Sequence, residues 1–185
     1  MSTLVLDLGC GAGDSWRKFN IPLDSSTLVG VDINELALAQ AREKYSDRGW
    51  IYLHGRGEDL PLPDSSVEYV LSSVALPYMH IPQALSEVHR VLTSGGMFRA
   101  TLHSPRFTCS EFRKAFPSPK ATLFRLFVLV NGLAFHFSGK VLTVGGKSEC
   151  CQTKRGMTKA LKRAGFFEVR FWREGVKFFV EAKKL

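Results

Sequence analysis

Along this chain of 185 residues, unbroken apolar runs of five or six positions alternate with stripes at helical spacing. Leu4–Leu8, Thr27–Val31, Trp50–His54, Val67–Ser72 and Met97–Leu102 are the runs. Each is short and bounded by Gly, Asp or Ser, the pattern of strands buried on both faces. Between them the spacing predicts a short helix from about Asp14 and a longer one from about Asn34 to Tyr45, with Leu36, Ala37, Ala41 and Tyr45 on one face. A third helix is predicted from about Pro82 to Leu92, with proline in its first turn and Leu85, Val88 and Leu92 facing inward. Gly95-Gly96 reads as the turn into the fifth strand. Near the end, Met157–Ala164 is helical in pattern and stops at Gly165, and Phe166–Trp172 and Val176–Ala182 form two strands joined by Arg173-Glu174-Gly175. Strands alternating with helices predict an α/β fold, a doubly wound, seven-stranded and mostly parallel sheet covered on both faces.

One segment breaks this rhythm. From about Pro105 to Gln152 no strand pattern appears, and its centre, Leu123 to Phe137, is apolar nearly all round. A stretch of that length inside a compact unit has its own structure or a function. We expect residues 1–185 to form a single domain, with 105–152 inserted after strand five as a helical lid that shapes a pocket. The alternative is a helix that completes the core. Its leftover apolar surface also suits a second copy of the chain or a membrane face.

Charge sharpens the division. Residues up to Ser104 carry 8 Lys and Arg against 12 Asp and Glu, whereas those from Pro105 onward carry 17 against 5, so the net +8 belongs to the second half. A basic surface attracts nucleic acid, an anionic bilayer or an acidic substrate, and solvated lysines give the same count. No secretory signal opens the sequence and no run is read as reaching the ~20 apolar residues of a membrane span, so a cytoplasmic location is expected. Cys10, Cys109, Cys150 and Cys151 show no metal or redox spacing and are expected as reduced thiols. No metal site is expected.

The chemistry lies at the start. Leu4-Val5-Leu6-Asp7-Leu8 runs into Gly9-Cys10-Gly11-Ala12-Gly13-Asp14, a strand ending in a glycine turn that lets backbone N–H groups approach a ligand. A dinucleotide fingerprint needs glycine where Asp14 stands. Strand two ends in Asp32, a carboxylate able to accept both hydroxyls of a ribose. With Asp7-Leu8-Gly9-Cys10-Gly11-Ala12-Gly13, Val29-Gly30-Val31-Asp32-Ile33, Gly57-Glu58-Asp59-Leu60-Pro61-Leu62-Pro63-Asp64 and Glu87-Val88-His89-Arg90-Val91-Leu92-Thr93-Ser94-Gly95-Gly96 in this order, the chain resembles the class I S-adenosylmethionine-dependent methyltransferases, whose sheet is Rossmann-like with an antiparallel last strand.

The resemblance implies S-adenosylmethionine as cofactor and S-adenosylhomocysteine as product. It implies that Gly9, Gly11 and Gly13, with Cys10 in the same loop, wrap the methionine moiety. Asp7 would position the ammonium, Asp32 the ribose, with Ile33 beside it, and Ser73 would pass the methyl donor. Relatives often place Asp-Ala where this chain has Arg56-Gly57, and arginine cannot accept a bond from the adenine amino group. Either Glu58 or Asp59 replaces it, or the Gly57 backbone acts alone, with Leu60 flanking the ring. The usual N-terminal covering helices have no counterpart before strand one, which again points to the 105–152 segment as cover.

For the acceptor, Ser73-Val74-Ala75-Leu76-Pro77-Tyr78 stands where nucleic-acid amino methyltransferases carry Asn/Asp-Pro-Pro-aromatic, so nucleic acid is disfavoured as substrate. The stretch from Ala75 to Pro82 resembles the methyltransferase type 11, quinone-pathway-like small-molecule branch. Tyr78, Phe124, Phe127, Phe135 and His136 are the candidate contacts to a hydrophobic, aromatic or lipid-like small molecule. His80 and His103 are the candidate bases, needed only if the attacking atom must lose a proton. Arg113, Lys114, Lys120, Lys140 and Lys147 around the apolar segment suit an anionic group on the acceptor or an anionic bilayer. Two other readings stay open: a methyltransferase-like scaffold without catalysis of its own, and an RNA methyltransferase using the basic half.

Overall fold

The computed structural model describes all residues except 1, 2, 20, 22, 24–26, 116, 117 and 176, and the side chains of Lys114 and Ala115. Expectations that fell on Val176 and on the Lys114 side chain therefore lie outside the described residues. Seven strands, β1 (Leu4–Leu8), β2 (Thr27–Asp32), β3 (Ile51–His54), β4 (Val67–Ser73), β5 (Leu92–Leu102), β6 (Phe167–Glu174) and β7 (Lys177–Lys183), form one sheet in the order β3-β2-β1-β4-β5-β7-β6. β1 to β5 pair in parallel, and β7 runs antiparallel to both of its neighbours. This is the Rossmann-like α/β architecture expected. Strand order reverses between β2 and β4, on either side of β1, and that reversal opens a crevice at the C-terminal edge of the sheet.

Helices α1 (Glu35–Lys44), α2 (Ile81–Val91) and α5 (Lys154–Arg163) cover the sheet. Asn34 caps α1 by accepting from the Ala37 N–H at 3.2 Å, and Thr153 caps α5 by accepting from Gly156 at 3.1 Å. On α1 the buried face is Leu38, Ala41 and Tyr45, while Leu36 is 79% exposed. The expected face was out of phase at Leu36 because two positions along a helix turn by about 200°, which sets Leu36 opposite the buried Leu38. α2 buries Ile81, Ala84, Leu85, Val88 and Val91 completely, each large aliphatic contributing about 1.5–3 kcal/mol.

Two further details refine the sequence reading. β5 already begins at Leu92, which pairs with Val67, so Gly95-Gly96 lies within the strand, where Gly95 N–H donates to Lys184 O at 3.0 Å. The short helix expected from about Asp14 is a 3₁₀ helix, Ser15–Phe19.

The segment after β5 is indeed helical, as α3 (Pro105–Ala115) and α4 (Pro119–Ser138), followed by an extended return to α5. α4 is 20 residues long and, by length and composition, apolar enough to cross a bilayer, which the sequence reading did not expect. One of its faces belongs to the core. Phe135 is fully buried against Gly156 of α5 in the cluster that includes Met157 and Ala160. The buried amide of Asn131 donates to Leu142 O, Ser148 O and Glu149 O and accepts from Leu142 N–H. Phe135 is thus a core residue and not an acceptor contact. Phe135→Ala should lower unfolding free energy by about 3–5 kcal/mol, whereas Leu133→Ser, on the exposed side of the same helix, should change it by less than about 0.5 kcal/mol; urea unfolding of both variants measures the contrast.

Candidate active site

The turn after β1 is built for close approach. Gly9, Gly11 and Gly13 have φ of +71°, +54° and +86°, a region costly for side chains other than glycine. Gly9 and Cys10 donate their N–H groups to Val31 O at 2.8 and 3.3 Å, which lays the loop across the end of β2. Gly11 N–H donates to Asp32 Oδ2 at 2.8 Å, and Asn34 N–H donates to Oδ1 at 2.9 Å. Each carboxylate oxygen retains acceptor capacity for a second partner. Asp32 lines a cleft of about 390 Å³ floored by Leu8, Gly9 and Val31, with Gly55 to Glu58 on one wall and Ser73 to Ala75 on the other. Tyr78 and Met79 close one end, and Ile33, 68% exposed, stands at the rim.

Beneath the loop, Asp7 is completely buried. Its Oδ1 accepts from the Ser15 hydroxyl, while Oδ2 has no partner. Burial pushes the carboxyl up to about 7, against the opposing pull of Ser15, the Trp16 N–H and Lys18. An unpartnered buried carboxylate oxygen has the character of a binding group whose partner arrives from outside.

A second cavity of about 300 Å³ opens beside the cleft, and Val74 lines both. Val74 has φ +61°, a strained conformation for a β-branched residue and the kind of outlier found at functional sites. Leu102, Phe107 and Phe178 give this cavity apolar walls, with Lys18, Lys177 and His103 at its polar positions. Lys18 Nζ donates to Ser73 Oγ at 2.8 Å. The His103 ring packs 4.7 Å from Phe107 and edge-on to Tyr78 at 6.0 Å. Burial, helped by nearby Arg125, holds its pKa below the ordinary histidine value, so the ring is neutral at pH 7. Gln152 pairs with the His103 backbone in both directions, at 2.7 and 2.8 Å, and pins the end of the inserted segment to the end of β5.

Of the residues expected to hold a cofactor, Gly9, Asp32, Ile33, Gly57, Glu58 and Ser73 line the cleft, and Gly11 and Gly13 shape its loop. Three do not fit. The Cys10 side chain points into the core towards Gly30 and Tyr52, on the face of the sheet that Val5 lines. Asp59 closes a tight turn through its N–H to Arg56 O at 3.2 Å, and Leu60 is buried in the main core. Glu58 is the carboxylate on the cleft wall, although its Oε1 also accepts from His80 N–H at 2.7 Å. His80 starts α2 and lines neither cavity, which leaves His103 as the histidine at the site. Tyr78 is on the cleft; Phe124 and Phe127 line neither cavity, and His136 faces α5, with Nδ1 3.0 Å from Thr153 Oγ1. Lys18, Phe107, Lys177, Phe178 and Met79 were missed. No local motif marks them, since only the sheet order brings residue 18 and residue 177 together. Among the described residues no group of His, Cys, Asp and Glu has metal-binding geometry.

Sheet order, glycine turn and the carboxylate at the tip of β2 together define the class I S-adenosylmethionine-dependent methyltransferase fold. A family model described as "Methyltransferase domain" matches residues 6–100, and the chain belongs to that family. It is 31% identical over 112 residues to a fatty-acid O-methyltransferase of Mycolicibacterium smegmatis, covering 60% of this chain and 41% of that protein. It is 37% identical over 98 residues to a malonyl-[acyl-carrier protein] O-methyltransferase of Pectobacterium atrosepticum, covering 50% and 36%. A ubiquinone/menaquinone biosynthesis C-methyltransferase of Methylobacterium nodulans is 35% identical over 113 residues, covering 58% and 41%. The chain spans less than half the length of these relatives. Among solved structures, S-adenosylmethionine-dependent methyltransferases of Methanosarcina mazei (17% identity, 100% of this chain and 93% of that one) and Mesorhizobium loti (22%, 99% and 91%) each superpose with a TM-score of 0.67, which shows the shared fold.

The residues present fit S-adenosylmethionine. Asp32 has free acceptor capacity for the ribose and the Gly11 backbone faces space in which an added Cβ would touch nothing, while Asp7, fully buried beneath the loop, keeps one carboxylate oxygen without a hydrogen-bond partner. Two tests follow from these two carboxylates. Asp32→Ala should weaken cofactor binding by about 1.5–3 kcal/mol in calorimetric titration, and unchanged affinity would place the ribose elsewhere. For Asp7, the unfolded carboxyl titrates near 3.9 and the folded one near 7, so the native state binds more protons between those values and loses stability as pH rises through that window. Asp7→Asn should therefore gain on the wild type by roughly 4 kcal/mol between pH 4 and pH 7.5 in urea unfolding without ligand; a constant difference would show that the carboxyl is already ionised.

Proposed function

We propose that this protein is an S-adenosylmethionine-dependent methyltransferase whose acceptor is a small hydrophobic molecule bearing an ionisable oxygen, a carboxylate or a phenol. The observation that carries the reading is the second cavity, joined to the cleft at Val74, apolar on its walls and cationic at Lys18 and Lys177. The names of relatives, which speak of fatty-acid, malonyl-[acyl-carrier protein] and ubiquinone/menaquinone methylation, support an acceptor of this kind. So does the sequence after β4, which lacks the tetrapeptide of nucleic-acid amino methyltransferases.

When bound, the cofactor supplies a methyl group on a sulfonium, already activated for in-line displacement. The chain's own residues then have three tasks. Leu102, Phe107 and Phe178 exclude water and hold the apolar body of the acceptor. Lys18 and Lys177 fix the anionic oxygen, and the bond from Lys18 to Ser73 orients the ammonium at the junction of the two cavities. His103, neutral at pH 7, is available to take the proton of a phenolic acceptor, whereas a carboxylate arrives already ionised.

Transfer of a radiolabelled methyl group to medium-chain fatty acids and alkylphenols, beside the corresponding amides, tests the reading. Acids or phenols should be methylated and the amides left untouched, and Lys177→Met should raise KM about tenfold, as for loss of about 1.4 kcal/mol of binding. Cofactor binding without transfer to any of these acceptors would point to a scaffold, and transfer to RNA would overturn the acceptor class.

A further inference from the structure

We propose that the outer face of α4 docks on a lipid bilayer with anionic headgroups, the helix lying flat in the interface. This inference stands on the surface of the inserted segment and does not depend on the methyl-transfer reading. Leu123, Leu126, Val130, Leu133 and Phe137 recur at spacings of three and four along α4, and all five are large apolar side chains between 48% and 69% exposed. Leu142 and Val144, in the segment beyond the helix, also have more than half of their surface open. Five large apolar side chains along one helix face exceed the scattered exposed leucines of an ordinary surface.

Charge around the stripe selects the occupant. No Asp or Glu occurs between Glu111 and Glu149, or between Glu149 and Glu168. Both Glu111 and Glu149 lie beside Arg125, at 3.8 and 3.7 Å, with side chains only 25% and 15% exposed. The exposed ionic groups flanking the stripe are cations, Lys120 and Lys140 at the two ends of α4 and Lys147 beyond it. On α5, Lys154 and Arg155 continue the edge, and the Arg155 guanidinium stacks 5.7 Å from the Phe137 ring. An apolar stripe rimmed by lysine and arginine is the composition of an interfacial helix.

A second copy would bring the same cations against themselves. Nor do the flanking positions help such pairing: Thr122, Phe127, Leu129, Ala134 and His136 supply no carboxylate for the interhelical ion pairs that line a coiled-coil seam. Crossing the bilayer is also excluded for the folded chain. The inner face of α4 is fastened to the domain through Phe135, through the Asn131 amide and through Gly132, whose Cα packs on Cys151 too closely for any side chain. Only one side of the helix is free, so it lies on the membrane and does not span it.

Vesicle co-sedimentation tests this with the whole chain. Binding to vesicles of phosphatidylcholine mixed with phosphatidylglycerol should exceed binding to phosphatidylcholine alone by roughly tenfold or more and weaken as salt is added. Leu126→Glu with Leu133→Glu should abolish sedimentation, and Lys140→Glu with Lys147→Glu should remove the preference for anionic lipid, both without changing far-UV circular dichroism or the thermal midpoint. Equal binding to both vesicles, no binding by the wild type, or a dimer in light scattering that the leucine variant dissociates would each overturn the proposal.

Discussion

The contact on which the site depends is the hydrogen bond from Gly11 N–H to the Asp32 carboxylate. It joins the turn after β1 to the tip of β2, at the place where strand order reverses and the sheet can hold a ligand. A glycine is needed at each turn position because the backbone is left-handed there, and the first of them also lies so close to Ala75 that no Cβ could be accommodated. Once that loop is laid across β2, Gly57 on the next strand connection and Ser73 at the end of β4 have fixed positions around one crevice. The geometry is therefore set by backbone groups and one carboxylate, which tolerate wide variation elsewhere in the chain.

The price of this arrangement is visible in departures from ordinary folding rules. Asp7 buries an unpartnered carboxylate oxygen, Tyr52 buries a hydroxyl without an acceptor, and Val74 adopts a backbone conformation that β-branched residues avoid. All three lie on the strands or turns that frame the cleft. Concentrated local strain of this kind is stable because the surroundings are conventional, with a large apolar core packed on the sheet and α2 burying Ile81, Ala84, Leu85, Val88 and Val91 against it. Stability elsewhere holds a site that would not be chosen for stability alone.

Much of this was legible in the sequence, and the failures have identifiable causes. Strands buried on both faces are unbroken apolar runs, so β1 to β5 were located to within a residue or two, apart from the early start of β5. The glycine turn and Asp32 were legible because their spacing reflects backbone geometry. Side-chain direction after a turn was not: Cys10, Asp59, Leu60 and His80 lie within or beside matching motifs yet face the core, a turn or a helix start. Composition also misjudged the inserted segment. Phe124, Phe127, Phe135 and His136 looked equivalent as a greasy cluster, but a helix sorts them by angle, and Phe135, which packs on Gly156 of α5, becomes core. Lys18 and Lys177 were invisible for a different reason, since nothing local links residues 159 positions apart until β5 and β7 pair.

The inserted segment answers one of the readings that its composition left open, since α4 completes the core. Its inner face, with Val128, Asn131, Gly132 and Phe135, completes the core over β5 and α5. Its outer face keeps an apolar stripe that the described residues leave uncovered. An ordinary amphipathic helix would carry polar residues there at no cost to the inner packing. Their absence over five helical positions, in the basic second half of the chain, is not required by the packing of the inner face. The hydrogen bonds between His103 and Gln152 tie the end of that same segment to the cavity beside the cleft.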